Sequence, residues 1–327
     1  MTTCCITGAT GYIGSALVRY LLKKEQGLGQ MTGIRILAPV RDLQKAARMF
    51  PEGVEFLQTD LCDRQCVGRM LKAGNTADYL IHCASVTKSE EMTAHPVEVT
   101  ESIVDTTKNI LEFARHRRIK SMVYLSSMEV YGKIDCGKER RTQEWEACRG
   151  EVEILNARSC YPMGKRMAES LCYSYYKEYG IPVKIARLAQ TFGKEIMDTD
   201  HRVYAQFARA AKNGRNIVLH TDGSSMGNYC ELDDAVRGIL MILEKGKDGE
   251  AYNVVNEENT MTIRQMAELV ADRVAGGKIR VVCERTNENS YAPYTGLRLS
   301  GKKLESLGWR PTKTLYDMYQ GILTDQN

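Results

Sequence analysis

Two rhythms of apolar positions take turns along the first half of the chain. TTCCIT is a short, nearly unbroken buried run, after which Ile13, Leu17, Leu21 and Leu22 recur at helical spacing. GIRILAPV (33–40) precedes the helical DLQKAARMF, and VEFLQTD (54–60) precedes RQCVGRMLKAG. ADYLIHCAS (77–85) precedes a long helix from about Val97 to Arg117, on which Val99, Ile103, Ile110 and Phe113 share a face. KSMVYLSS (120–127), the helix YPMGKRMAESLCYSYYKEYG (161–180) and the strand PVKIARLAQTFG (182–193) continue the series. Such alternation predicts an α/β fold with a doubly wound parallel sheet and helices on both faces. Ligands of such sheets sit beyond the carboxyl ends of the strands, where strand order reverses.

After residue 193 the pattern loosens. HRVYAQFARAAKNG reads as a helix, IVLH as a short strand and TDGSSMGNY as a loop. ELDDAVRGILMILEKG and TIRQMAELVADRVAG read as two more helices, followed by the turn-rich, polar tail YAPYTGLRLSGKKLESLGWRP. The expected division is a dinucleotide-binding domain over 1–193 and a smaller mixed α/β substrate lobe over 194–327, with chain crossings between them. No internal repeat stands out.

Composition narrows the class. With 327 residues, 43% hydrophobic and 26% charged, the chain is an ordinary globular protein. A formal net charge of +4 argues against nucleic acid or a membrane surface as partner. No apolar run approaches the roughly 18 residues of a membrane span, and the N-terminus enters a strand rather than a leader. Of 11 cysteines, Cys4, Cys5, Cys83, Cys160 and Cys172 fall in strands or helices. Cys62 and Cys66 are four apart with no second ligand pair nearby. The cysteines therefore read as small buried hydrophobes in a reducing cytoplasm, with no metal site.

Gly8, Gly11 and Gly14 stand three apart between the first strand and the first helix, where side chains would obstruct a close backbone approach. A strand, a glycine turn and a helix with free first amides make an anion site, suited to the pyrophosphate of a dinucleotide. The spacing is G-x-x-G-x-x-G rather than G-x-G-x-x-G, and a turn that binds nothing is the competing reading. Further on, Ser127 ends a strand, and Tyr161 and Lys165 lie one turn apart at the start of a helix. The amine is expected to lower the phenol pKa, making Tyr161 a base while Ser127 holds the same substrate oxygen and hydride passes to a nicotinamide. YSYYK offers a second match, Tyr173 with Lys177, but Tyr161 follows the serine strand.

TGATGYIG, SSMEVYG, YPMGKRMAE, KIARLAQTFG, GEAYNVVNE and LGWRP, in this order, resemble the extended short-chain dehydrogenases/reductases, the nucleotide-sugar epimerase, dehydratase and decarboxylase group. The resemblance covers nearly the whole chain. It implies a Rossmann-type domain holding NAD or NADP, a lobe for a nucleoside-diphosphate sugar, and a homodimer in which the helices near 97–117 and 161–180 pair with their mates. It places the cofactor against Gly8, Thr10, Gly11, Tyr12, Ile13 and Gly14, and against Tyr161 and Lys165. Asp60 and Leu61 would border the adenine, and Ala84 and Ser85 would pass near the ribose.

Several positions depart from the group's patterns. Met128 stands where sugar dehydratases of this group have the aspartic acid that protonates the departing hydroxyl, which argues against dehydration. Glu129 matches the decarboxylases, where it would act on the C5 proton of a 4-keto sugar; the alternative is a helix-start carboxylate held by backbone amides. Gly227 replaces an arginine of the group. Arg298 is either the surviving diphosphate contact or a solvated surface residue, and Met128 and Ser127 would also face the sugar. Arg41, at the end of the second strand, suits a 2′-phosphate or stacks on adenine. The leading expectation is an epimerase working through a 4-keto sugar. A decarboxylase acting on a glucuronate, an NADPH-dependent ketone reductase and a non-catalytic cofactor-sensing protein are the alternatives.

Overall fold

In the computed structural model, which describes residues 2–23, 34–72, 76–134, 137, 140–194, 200–284 and 294–324, the run TCCIT forms a fully buried strand, β1 (Thr3–Thr7). The chain then alternates through α1 (Tyr12–Leu22), β2 (Arg35–Val40), α2 (Leu43–Met49), β3 (Val54–Gln58), α3 (Cys66–Lys72) and β4 (Tyr79–His82). It continues with α4 (Ser89–Ala94), α5 (Pro96–Arg117), β5 (Ser121–Ser127), α6 (Cys160–Tyr179) and β6 (Val183–Leu188). Next come β7 (Gln190–Phe192), α7 (Val203–Lys212), β8 (Ile217–Leu219), β9 (Met226–Glu231), α8 (Leu232–Lys245) and β10 (Ala251–Val254). β11 (Asn256–Thr262), α9 (Ile263–Leu269), β12 (Val281–Cys283), α10 (Lys302–Glu305) and α11 (Leu315–Thr324) complete the order.

Seven parallel strands form the central sheet in the order β10-β6-β5-β4-β1-β2-β3. The chain winds outward from β1 to β3, then returns to β4 on the other side of β1. The order therefore reverses between β1 and β4, which opens a crevice at their carboxyl ends. The period of two is legible in β1: Cys4 and Ile6 pack with α1 and α8 on one face, while Cys5 packs with α3, α5 and α6 on the other. The Rossmann-type expectation is met. Segments past residue 193 also build this layer, because β10 pairs with β6 and α8 covers the sheet. Among the described residues the cysteines are free, and no helix is long and apolar enough to cross a membrane.

Four local readings are corrected. The run 182–193 is not one strand: it breaks at Ala189, and β7 joins β11 and β9 in a separate three-stranded sheet. The cause is a second core. Phe192 stacks on Tyr204 at 4.3 Å between centroids and meets Tyr229 and Tyr319 edge-on, drawing the chain out of the first sheet. The expected loop TDGSSMGNY contains most of β9, a buried strand. There Gly227 leaves room for the Tyr229 ring, since a Cβ would lie 2.3 Å from its hydroxyl oxygen. The polar tail carries the helix α10, α11 follows it, and α4 precedes the long helix. Parts of the expected elements at 33, 73–74 and 291–293 lie outside the described residues.

A buried ion pair fixes α6 to the sheet. Arg187 of β6 donates from Nη2 and Nε to the Glu169 carboxylate at 2.7 and 3.0 Å, and Ser126 of β5 donates to the same carboxylate at 2.5 Å. Arg187 also donates to the Glu144 carbonyl at 2.6 Å and to the Tyr131 hydroxyl at 3.1 Å. Tyr131 donates onward to Asn253 of β10 at 2.7 Å. Glu169→Ala strands a buried guanidinium, so it should lower stability by about 3–5 kcal/mol, read as a shift in denaturant midpoint; Glu169→Gln, which retains a hydrogen-bonding amide, should lose less.

Candidate active site

The three glycines of the first loop have different jobs. Gly8 has φ +66° and its missing Cβ would lie 2.8 Å from the Ala84 amide nitrogen, so glycine lets the ends of β1 and β4 meet. A Cβ on Gly14 would lie 2.1 Å from the Gly8 carbonyl oxygen, so α1 packs on the loop only without one. Gly11 is different: its Cβ would meet only the Gly8 oxygen, at 3.2 Å. It is the N-cap of α1 and offers no side chain to the first-turn amides, which leaves them free for an anion.

His82 locks this loop, and no sequence motif pointed to it. Thr7 Oγ1 accepts from the Cys83 and Ala84 amides at 3.1 and 3.2 Å, so its own proton goes to His82 Nδ1, 2.7 Å away. Thr106 and Thr107 spend their protons on the Ser102 and Ile103 carbonyls, so their oxygens accept from Nε2 at 3.4 and 3.3 Å. The network thereby assigns the neutral Nε2–H tautomer. Burial, helped by the nearby Lys165 charge, pulls the imidazole down to about 3.

Two adjoining cavities run along the strand ends. One, of about 440 Å³, is bounded by Gly11, Tyr12, Ile13 and Gly14 on one wall and by Ser127, Met128, Glu129, Tyr161 and Lys165 on another. The second, of about 310 Å³, takes in Thr10, Arg41, Asp60, Leu61 and Ala84. Gly8, Gly11 and Ser85 border both, which makes one continuous crevice. Of the residues preferred for the site from the sequence, the structure therefore gathers every one except Arg298. Arg298 lines neither cavity; its carbonyl accepts from the Thr142 amide at 2.6 Å, and its guanidinium lies 3.9 Å from the Met226 sulfur. Tyr173, the rival tyrosine, is half exposed and outside the crevice.

The reacting end has a particular charge balance. Ser127 closes β5 and caps the turn Met128–Tyr131, its Oγ accepting from the Glu129 amide at 3.2 Å. Lys165 is buried and donates to the Leu125 carbonyl at 2.8 Å, above the Tyr124 ring. Burial draws the amine down to about 8, against the pull of Glu169. The expected lowering of the Tyr161 phenol by Lys165 is not what this geometry produces. Burial first, then Glu129, raise the phenol above its ordinary value, while a hydrogen bond from Ser127 and the charges of Arg158 and Arg202 pull it down. The amine faces a carbonyl and sits 5.8 Å from the phenol ring centre, so its direct effect is small.

Arg158 and Arg202 are the residues that sequence reasoning missed. Arg158 grips Glu129 with two bonds of 2.9 and 3.1 Å, and Arg202 pairs with Asp200 at 2.6 Å; both guanidinium-bearing residues line the larger cavity. Arg158 lies three residues before Tyr161, on the turn that leads into α6, and that proximity was the available signal.

A family model described as the NAD dependent epimerase/dehydratase family matches residues 4–255. Among curated proteins, a dTDP-D-glucose 4,6-dehydratase of Dictyostelium discoideum is 27% identical over 251 residues, 76% of this chain and 57% of that protein. UDP-glucuronic acid decarboxylase 6 of Arabidopsis thaliana is 27% identical over 307 residues, 94% of this chain and 83% of that protein. Among solved structures, a UDP-glucose 4-epimerase from Thermotoga maritima with UDP-glucose superposes with a TM-score of 0.82 at 21% identity, covering 99% of this chain and 98% of that one. That likeness establishes the fold.

Two outcomes follow from the site. Gly14→Ala should lower the melting temperature, whereas Gly11→Ala should leave it nearly unchanged and weaken dinucleotide binding, measured by calorimetry. Because His82 stays neutral in the fold down to about pH 3 but protonates near 6.5 when unfolded, the unfolded state binds the extra proton between those values. Stability should fall with decreasing pH in that window, by about 1.4 kcal/mol per pH unit from this group. His82→Asn should flatten that slope in denaturation series at pH 7, 6 and 5.

Proposed function

Since the chain belongs to the NAD dependent epimerase/dehydratase family, we propose that it oxidises and re-reduces a carbinol carbon of a nucleoside-diphosphate sugar, acting as an epimerase through a 4-keto sugar. The observation that supports this is the meeting of Ser127, Tyr161 and Lys165 on one wall of a cavity continuous with the glycine loop. The donors and shape of the crevice fit a nicotinamide dinucleotide: free first-turn amides at α1 for the pyrophosphate and a second cavity at Asp60 and Leu61 for the adenosine. When bound, the nicotinamide supplies hydride acceptance and return, with a positive charge in its oxidised form.

The chain's own residues do the rest. Ser127 and the Tyr161 side chain would hold the sugar oxygen. Tyr161 would take its proton as the carbonyl forms only as the phenolate, its own proton having left to solvent. Ser127, Arg158, Arg202 and the positive charge of an oxidised dinucleotide favour that ionised form against burial. Lys165, anchored on the Leu125 carbonyl, sets the position of the first turn of α6. Met128 offers no acid to a departing hydroxyl, which disfavours dehydration. A simple epimerisation needs no further acid or base, and the clamp of Arg158 on Glu129 suits a carboxylate that shapes the cavity.

One observation favours a second reading, decarboxylation of a sugar acid. Arg158 and Arg202 both line the larger cavity, and two guanidinium groups suit a carboxylate on the substrate as well as a diphosphate. For the assembly we propose a homodimer through α5 and α6, which carry the exposed apolar residues Val97, Met163 and Met167. The free thiols suit a reducing cytoplasm.

The test is a thermal-shift screen of nucleoside-diphosphate sugars, followed by product analysis on each hit. Tyr161→Phe should cut turnover by about 100-fold or more while dinucleotide binding persists; full activity in this variant would overturn the assignment. Glu129→Gln should leave an epimerase within a few-fold of its parent. A decarboxylase carrying the same change should stall as keto sugar with reduced nicotinamide, visible by absorbance.

A further inference from the structure

Behind the turn Met128–Tyr131 lies a third cavity, of about 350 Å³, that shares no residue with the crevice. Val130, Ala147, Ile185 and Ala251 give it an apolar wall, and Arg166, Ser170 and Tyr173 reach it from α6. Neither α5 nor the exposed Met163 and Met167 contribute to it, so the faces proposed for the homodimer lie elsewhere. We infer that this cavity is a second ligand site, separate from the crevice, and that its occupant is a small aromatic anion. Its volume falls at the lower end of those that hold small molecules.

Arg166 supplies the recognition of charge. Its Nε donates to the Val130 carbonyl at 2.8 Å, and its Nη2 donates to the Gly150 and Ala147 carbonyls at 2.7 and 3.3 Å. Those bonds hold the guanidinium in one place and leave its Nη1 hydrogens unspent, with no acceptor among the described residues. A guanidinium fixed by backbone in this way is preorganised for a carboxylate, phosphate or sulfonate oxygen.

The rest of the lining has the same preference. Its other charges, Arg187 and Glu169, are spent on each other, so the cavity carries one uncompensated positive charge. Lys177 adds a second cation nearby, its Nζ 5.4 Å from the centre of the Tyr173 ring. Tyr173 is half exposed. An aromatic body laid against its ring and the apolar wall removes area from water that a bare inorganic anion leaves wetted.

Calorimetric titration of the full chain with phenyl phosphate tests this. Saturable binding is expected with a Kd of about 1 mM or tighter, and inorganic phosphate and benzyl alcohol should each bind about tenfold more weakly. Ser170→Trp, which fills the cavity from an exposed position, and Tyr173→Ala should each weaken phenyl phosphate while circular dichroism reports an unchanged fold. Cys148, an exposed thiol on the lining, locates the ligand. Saturating phenyl phosphate should slow its alkylation by iodoacetamide and leave that of the exposed Cys283 unchanged. Absence of saturable binding overturns the inference. So does binding that Ser170→Trp leaves intact, or a Cys148 rate that the ligand does not change, since either places the ligand elsewhere. Equal binding of inorganic phosphate overturns the aromatic class, and equal binding of benzyl alcohol overturns the anionic one.

Discussion

The attachment of α6 to the sheet is the constraint on which the crevice depends, and it is electrostatic. Glu169 lies one turn beyond Lys165 on α6 and is clasped by Arg187 of β6 and by Ser126 of β5. A buried ion pair of this kind tolerates little displacement, because loosening it exposes an uncompensated charge to a low-dielectric interior. Tyr161 and Lys165 are consequently held at fixed height beside Ser127, the next residue after the one that Glu169 grips. The same Arg187 reaches Tyr131 and the Glu144 carbonyl, so the turn after β5 and the segment leading to α6 are tied to one point.

Burial sets the resting protonation of Tyr161 and Lys165 more than proximity does. Tyr161 is pushed up and Lys165 down, each away from its charged form. The forces that oppose burial at the phenol come from Ser127, Arg158 and Arg202, which border the larger cavity rather than the helix interior. Lys165, turned to the Leu125 carbonyl, acts as an anchor.

The glycine loop shows how packing and binding divide one motif. Gly8 and Gly14 satisfy the chain's own close approaches, and Gly11 keeps the mouth of α1 clear. His82 and Thr7 then hold the backbone of Cys83 and Ala84 against Gly8, so the border between the two cavities is rigid. A neutral imidazole is required for that, since Nδ1 must accept the Thr7 proton.

Local pattern alone determined the parallel sheet, the glycine loop and the serine–tyrosine–lysine trio, because each is written in period, spacing or residue type within a few tens of residues. Strand order is not written there, because the same alternation serves more than one doubly wound order and only the pairing of β1 with β2 and β4 shows where it reverses. Other features depend on partners distant in the chain. The break at Ala189 arises because Phe192 finds Tyr204, Tyr229 and Tyr319, and β9 reads as a loop until Tyr229 is seen over Gly227. The same holds for charge: only the fold shows that Arg158 is engaged with Glu129, that Arg298 lies away from the cavities and that Asp42 is consumed as a helix cap. A residue's type sets the chemistry open to it, but the chemistry it performs depends on which neighbours have already claimed its hydrogen bonds, and that is decided in three dimensions.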